Sequence, residues 1–514
     1  MATQNPPVSQ TRSFSTVFLI EMWERFGYYG MQALIVYYMV QRLGFTDDRA
    51  NLTWSAAAAL IYVAPAIGGW VGDKVLGTRR TMLLGAFILS VGYALMTVPG
   101  QSVWFLFCSL GVIVVGNGLF KPNAGNLVRK IYEGDDSKID SAFTIYYMAV
   151  NLGSTFSMLA TPLIKDYVNN AYHNEMGWHA AFGVCCVGLL VGLGLYFLMR
   201  HTLDHVGSAP DEKPVQINKL LAVLGLGVVA VFASALVLQS EGLAKIFVYS
   251  AGVVVLGIFA YLIYSSQRSE RAGLIAALVL TVQTVFFFIF YQQMSTSLSL
   301  FALRNVDPSF DIFGLHLWNW APAQFQAFNP IWIFILSPIL AFMYTRAGRS
   351  GKDLSIAAKF ALGFATVALG FFIYSAAAHF TTSPGKTTSW IMVWGYGSSS
   401  LGELLVSGLG LAMIARYVPA RMGGFMMGAY FVASGISQYL GGVVANYASV
   451  PQDVTDPIKT MPIYTNLFFW LGVAGVICTL IALAVLPLMK KLSTEHHAHN
   501  IATDTALPTI GSEQ

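Results

Sequence analysis

A chain of 514 residues that is 56% hydrophobic and 11% charged is excluded from the ordinary soluble domains, where about 25% charge is usual. Its formal net charge of +4 is spread over short loops, which argues against a nucleic-acid surface. The four cysteines, Cys108, Cys185, Cys186 and Cys478, lie in apolar runs without metal-ligand spacing, so no disulfide framework, redox centre, metal site or cofactor is expected. Apolar runs of about twenty residues recur along the chain, long enough at about 1.5 Å rise per residue to cross a hydrocarbon core of about 30 Å. Fourteen spans are predicted, over 14–42, 50–72, 80–99, 103–128, 141–165, 177–200, 217–239, 244–265, 272–302, 325–346, 355–379, 388–416, 422–448 and 464–489. The first dozen residues are polar and no small-residue cleavage site follows, so no cleaved leader is expected.

The first run, Phe14 to Val40, holds Glu21, Glu24 and Arg25. An ionisable group near a bilayer centre costs about 2.5–3.5 kcal/mol on the insertion scale, so such groups face a wet cavity or one another and mark ion or substrate chemistry. Their i, i+3, i+4 spacing puts all three on one helix face, where Arg25 can pair with either carboxylate. A carboxylate that can hold a proton or an arginine, but not easily both, is a proton-coupling device. After the second span comes Gly69-Trp-Val-Gly-Asp73-Lys74-Val-Leu-Gly77-Thr-Arg79-Arg80. Its glycines permit a tight turn and close helix approach, and its Asp can cap a helix or pair with a base. Lys121 falls well inside the fourth run, with snorkelling to an interface as the alternative. The spans 217–239 and 244–265 lack a strongly polar midspan residue, and a structural role is expected for them. Trp318, Trp320 and Pro322 lie in the longest outside loop, about 304–324, as interfacial anchors. An echo of the loop motif, Arg346-Ala-Gly-Arg349-Ser-Gly-Lys352-Asp353, precedes the eleventh span. Glu403 lies in the twelfth, where the alternative is a packed, protonated residue helping helices associate. The polar tail is expected to be disordered, its Glu495-His-His-Ala-His499 a solvated stretch rather than a metal site.

Basic residues orient the chain. Twenty of the 29 lie in loops on the side of the termini, seven on the opposite side, and Arg25 and Lys121 within spans. The positive-inside rule then places both termini in the cytoplasm of a multi-pass protein of the cytoplasmic (inner) membrane.

The loop motif resembles that of the major facilitator superfamily, which implies two six-helix halves around a midplane site. The expected division is a first half over 1–200, an inserted hairpin with linkers over 201–271, a second half over 272–490 and the tail 491–514. Within that superfamily, four separated stretches resemble the proton-dependent oligopeptide transporters (the POT family), especially the bacterial members. They are Glu21-Met-Trp-Glu24-Arg25-Phe-Gly-Tyr28-Tyr29-Gly, Gly116-Asn-Gly-Leu-Phe-Lys121-Pro-Asn, Phe143-Thr-Ile-Tyr146-Tyr147-Met-Ala-Val-Asn151-Leu-Gly153 and Gly402-Glu403-Leu-Leu-Val-Ser-Gly. The resemblance implies a symporter for di- and tripeptides, and for peptide-like drugs as well, with protons as coupling ion. Arg25 and Lys121 offer cations for a peptide carboxylate, and Glu403 an anion for its ammonium. By resemblance, Tyr28, Tyr29, Tyr62, Tyr147, Asn151, Asn329, Tyr430 and Ser434 complete the pocket, Glu21 and Glu24 handle protons beside Arg25, and Gly69, Asp73, Lys74, Gly77, Arg79 and Arg80 form the loop motif.

The sequence also departs from that family. Ser55 stands where many members carry a proton-handling histidine, and all nine histidines fall in loops, span ends or the tail. Gln32 and Gln292 occupy positions where an arginine and an acid are common, which puts the usual outer gate in doubt; Asp307, as a substitute, reads better as a solvated loop residue. Drug, nitrate or sugar transport are competing substrate classes, and a non-transporting peptide sensor would need a signalling segment. No nucleophilic, paired-acid or metal constellation suggests an enzyme, and the GxxxxGK[ST] loop of ATP-driven transport is missing.

Overall fold

The computed structural model describes residues 9–100, 102–134, 136–172, 175–349, 354–406, 417–418 and 422–506. Among these the first six helices are α1 (Gln10–Tyr37), α2 (Asp47–Trp70), α3 (Thr78–Met96), α4 (Val103–Ile131), α5 (Asp136–Tyr172) and α6 (Gly177–Met199). Then come α7 (Ile217–Gln239), α8 (Glu241–Ser265), α9 (Arg268–Tyr291), α10 (Ser297–Asn305), α11 (Phe328–Arg349), α12 (Ile356–Ser375), α13 (Trp390–Val406), α14 (Gly423–Ala445) and α15 (Pro457–Ala506). With α9 and α10 taken as one broken span, these are fourteen membrane-spanning segments. Nine stretches among the described residues are apolar and long enough to cross a bilayer on composition alone; α1 falls short because it carries Arg12, Glu21, Glu24 and Arg25.

Helix pairs assemble into two bundles. In the first, α1 packs on α5 and α6, and α4 on α2 and α3; in the second, α12 packs on α13 and α15, and α9 on α14 and α15. This is the major facilitator architecture. A Cβ on Gly116 would lie 2.7 Å from the Leu89 backbone N of α3, and one on Gly118 would lie 2.6 Å from Ala64 Cβ of α2. Glycines at these two positions therefore let α4 lie directly against both neighbours. The hairpin α7–α8 bridges the bundles, α7 resting on α4 and α8 on α14. Only Ser234, Ala235 and Leu238 of α7 are buried; so much exposed apolar surface is stable only against lipid.

Local structure departs from the sequence expectation in four places. The ninth span is broken by a 3₁₀ turn, Gln292–Ser295, before α10 resumes. The long loop forms a hairpin of β1 (Ser309–Ile312) and β2 (Leu315–Asn319); Trp320 packs edge-on against Phe310 and also against Phe328, whereas Trp318 is exposed. The last helix continues to Ala506, where the sequence suggests an irregular tail from 491; residues 507–514 lie outside the described residues. The echo of the loop motif is helical to Arg349, and its remainder, 350–353, also lies outside them.

The loop motif itself is bound by the linker between bundle and hairpin. Gly77, at φ +105°, turns the chain into α3, a backbone region that L side chains rarely adopt. The first amides of α3 are capped from outside: Thr78 N donates to Ser208 Oγ at 3.0 Å, Arg79 N to Asp211 Oδ2 at 3.2 Å and Arg80 N to Asp211 Oδ1 at 3.3 Å. Arg79 Nη1 donates to Leu203 O at 2.5 Å, and Arg80 to the carbonyls of Pro210 at 2.9 Å and Lys213 at 2.7 Å. Asp73, expected to cap or to meet a base, instead accepts from Asn126 Nδ2 at 2.8 Å, and Lys74 is exposed. The close helix approach expected of the motif's glycines is found at Gly72, where a Cβ would strike the Asn123 carboxamide of α4, and also at the preceding Gly68, where it would strike the Gly118 carbonyl; a Cβ on Gly69 would stand 3.5 Å from Pro122.

Candidate functional site

The i, i+3, i+4 spacing in α1 brings its three charges together as expected, but not in equal measure. Arg25 is bidentate with its sequence neighbour Glu24, through Nε to Oε2 and through Nη2 to Oε1 at 2.8 Å. Glu21 Oε1 stands 3.5 Å from Arg25 Nε. All three side chains are buried, so each charge relies on the others rather than on water. Arg25 also lies 5.0 Å from the Tyr28 ring centroid. Across the cavity, Lys121 Nζ lies 5.0 Å over the Tyr62 ring, and it makes no ion pair among the described residues.

Arg25, Tyr28, Tyr62 and Lys121 line a cavity of about 480 Å³, the part open to solvent counted in. Its walls are Arg25, Tyr28, Tyr29 and Gln32 from α1, Trp54, Ala58, Ile61 and Tyr62 from α2, and Asn117 and Lys121 from α4. The second bundle contributes Tyr291, Gln292, Met294 and Ser295 at the α9 break, and Gln438 from α14. Tyr291 and Met294 also line a second cavity, of about 310 Å³, that holds Asn329 and Glu403. Glu403 is buried; its Oε2 accepts from Asn329 Nδ2 at 2.6 Å, and Asn329 also donates to Ser400 at 3.0 Å. Tyr147 of the first bundle donates to Glu403 Oε1 at 3.4 Å, and Asn151 Nδ2 donates back to the Tyr147 carbonyl at 2.8 Å. Cations in the first bundle and a carboxylate in the second thus flank two linked cavities.

Not every predicted pocket residue joins them. Tyr147 and Asn151 reach Glu403 only through hydrogen bonds and line neither cavity; Tyr430 and Ser434 are buried on α14, where the Ser434 hydroxyl donates to the Tyr430 carbonyl at 3.0 Å, and they too line neither. Conversely, sequence reading passed over Asn117, although it sits inside the quoted Gly-Asn-Gly stretch, and Tyr291 and Gln438, which carry no signal beyond being polar within apolar runs.

The end opposite the termini is closed by polar contacts between bundles. Asp47, at the start of α2, accepts from Arg304 Nη1 at 2.6 Å and Nη2 at 2.8 Å. It also accepts from Val450 N at 3.0 Å, while Arg304 reaches the Tyr464 hydroxyl at 2.6 Å. Beneath this fork, Asn51 donates to Asn446 at 3.1 Å, Trp54 to Ser295 at 3.0 Å and Gln292 to Ser55 at 3.2 Å. Asp307 ties its own loop to the one after α12 instead: Ser309 N donates to it at 2.9 Å and Thr382 at 2.7 Å, and its amide donates to the Thr387 carbonyl at 2.8 Å. Where Gln32 and Gln292 carry no charge, the ion pair between bundles lies nearer the closed end, Asp47 standing about two helical turns before Ser55 on α2. His179 lies at a span end, with Nδ1 3.0 Å from the Met96 carbonyl.

Comparison with known proteins sharpens this picture. The sequence profile described as POT family matches residues 79–465. The chain is 39% identical over 486 residues to dipeptide and tripeptide permease B of Photorhabdus asymbiotica, covering 94% of this chain and 97% of that protein. It is likewise 39% identical over 485 residues to the permease B of Salmonella typhimurium, across 94% and 96% of the two chains. Among solved structures, tetrameric PepTSo2 is 71% identical with a TM-score of 0.87, over 94% of this chain and 99% of that one. A peptide transporter POT in complex with alafosfalin is 30% identical with a TM-score of 0.76, over 93% and 95%. The cation-bearing first bundle, the buried carboxylate of the second and these relatives together lead to one conclusion: this multi-pass membrane protein is a bacterial transporter that belongs to the POT family.

Proposed function

We propose that the protein is a proton-coupled symporter that imports di- and tripeptides, and peptide-like drugs, across the bacterial inner membrane by alternating access. The observation that carries this reading is the division of charge across linked cavities, with Arg25 and Lys121 on one bundle and Glu403 on the other. Peptides of any sequence share a carboxylate and an ammonium, so a carrier that grips both ends tolerates the side chains between them. The carboxylate goes to Arg25 and Lys121, and the ammonium to Glu403 in place of the Tyr147 hydroxyl. A bound peptide then spans both bundles and favours the states in which they are drawn together.

Proton coupling follows from the shared arginine. When a peptide carboxylate takes Arg25, Glu24 and Glu21 lose the cation that neutralised them. Two buried carboxylates left side by side are best neutralised by a proton, so peptide and proton enter together. One charge moved through 100 mV is worth about 2.3 kcal/mol, nearly a fiftyfold gradient. Twenty basic residues in the loops on the termini side support cytoplasmic termini. The Asp47–Arg304 end is then the outer one, and the structure represents a state closed to the outside. The names of the related permeases and the alafosfalin complex of a relative support the substrate class.

The test is uptake of labelled dialanine into liposomes under an inward proton gradient, with the intact protein and with Glu403→Ala. Concentrative uptake that the variant loses is the expected result. No uptake by correctly reconstituted intact protein would overturn the peptide reading.

A further inference from the structure

The two helices of the hairpin α7–α8 are anchored to different bodies. The linker before α7 is fastened to the first bundle. Ser13 of α1 donates to the Thr202 carbonyl at 2.6 Å, the hydroxyls of Thr16 and Thr202 meet at 2.7 Å, and Ser208 donates to the Gly72 carbonyl at 2.9 Å. α7 then lies directly on α4, where a Cβ on Gly111 would stand 2.6 Å from the Val231 carbonyl oxygen. The next helix belongs to the second bundle. α8 packs on α14 and α9, and a Cβ on Gly252 would meet Ile436 of α14 at 3.7 Å. At the last turn of α8, Arg271 of α9 donates to the carbonyls of Tyr264 at 3.1 Å and Ser266 at 3.2 Å.

The joint between α7 and α8 has no slack. Ser240 alone separates Gln239 from Glu241, and it is bonded on both sides. Its amide donates to the Leu236 carbonyl at 3.2 Å, and its hydroxyl accepts from Leu243 N at 3.3 Å. Two Cα steps reach about 7 Å at full extension, so the ends of the two helices cannot part further than that. Chain order places the joint at the end opposite the termini, which the Asp47–Arg304 fork closes. Glu241 there acts electrostatically on Tyr439 of α14, about two helical turns before Asn446, the partner of Asn51 across the seam. Opening this end swings the second bundle away from the first. α7 and α8 must then be drawn apart, bend, or slip off their bundles.

We propose that the hairpin is a strap across the two bundles, which biases the transporter toward the state closed at the Asp47–Arg304 end. This rests on the alternating-access reading above and gives the inserted helices a part in it. Lipid tails are as apolar as the faces that α7 and α8 bury, so peeling a helix away loses packing rather than hydrophobic burial. The strap is therefore a bias that the transport cycle overcomes, and its strength lies in the short joint and the close fit of α7 on α4.

The experiment lengthens the joint by inserting Gly-Ser-Gly-Ser after Ser240. Pulsed electron–electron distances are measured between spin labels at Gln41 and Phe313, both exposed, with the four native cysteines replaced. The parents are the otherwise intact protein and Asp47→Asn, which loosens the fork. The longer-distance population is expected to rise by about threefold or more over the parent without the insertion. Gly111→Ala, whose methyl group would push the Val231 carbonyl off α4, is expected to act in the same direction and serves should the insertion fail to fold. An unchanged distribution in either folded variant overturns the proposal, as does a shift toward the shorter distance. The measurement needs no substrate, so failure of the wild type to take up dialanine would overturn the peptide reading and leave the strap standing.

Discussion

Replacing Asp47 with Asn is the sharpest perturbation of the closure at the end opposite the termini. The variant keeps the size of the side chain and can still accept from Val450 N, but it removes the charge that faces the Arg304 fork. Breaking a buried pair by removing one partner costs about 3–5 kcal/mol, because the remaining charge is stranded. Arg304 retains 19% side-chain exposure against 2% for Asp47, so water recovers part of that charge, and about 2–3 kcal/mol is the reasonable loss for the closed state. If the state open at this end breaks the pair already, the whole loss falls on the closed state and shifts the balance by about 30- to 160-fold. A state that is 99% closed would become roughly evenly divided. The assay is pulsed electron–electron distance measurement between spin labels at Gln41 and Phe313, both exposed near the closed end, after replacing the four native cysteines. A second, longer distance population in Asp47→Asn is expected, and Arg304→Lys, which keeps the charge but loses the fork, should lie between. An unchanged distance distribution in a folded Asp47→Asn protein would refute the view that this pair holds the bundles closed.

Two further outcomes follow from the α1 charges and the loop motif. Glu21→Gln and Glu24→Gln should each abolish gradient-driven accumulation of dialanine while preserving exchange of labelled for unlabelled peptide across the membrane; full accumulation by either would remove that residue from the coupling. Asp211→Ala strips the cap from the first turn of α3, a loss of about 0.5–2 kcal/mol. It should lower the unfolding temperature by a few degrees in a thermal melt in detergent, about 2–4 °C per kcal/mol lost for a chain of about 250 residues and less for a larger one. An unchanged melt would mean that the linker does not hold the loop motif.

How much was legible in the sequence depended on the range of the interaction. The charges of α1 share a face because helical periodicity is local, and Arg25 duly engages both glutamates. The S-x-x-D form of Ser208-Ala-Pro-Asp211 makes a capping box for its own short turn legible, but the cap that the same two side chains place on α3, 130 residues earlier in the chain, was not. The β-hairpin at Ser309–Asn319 was missed because Gly314 and the positive φ of Phe313 form its turn inside a stretch rich in aromatics.

Composition and apolar run length by themselves determined that this chain crosses a membrane many times, because hydrocarbon admits only segments that satisfy their own backbone. The sequence also marked Glu21, Glu24, Arg25, Lys121 and Glu403 as candidates for function, since ionisable groups within apolar runs are costly unless they work. Tertiary structure alone decided which of them meet. It put Glu403 with Asn329 and Tyr147, left Tyr430 and Ser434 out of both cavities, and joined Asp47 to Arg304 across 257 residues. The bundles meet closely at glycine contacts such as Gly435 and Gly442 of α14 against α2, and close packing between distant segments leaves no periodic trace in the chain.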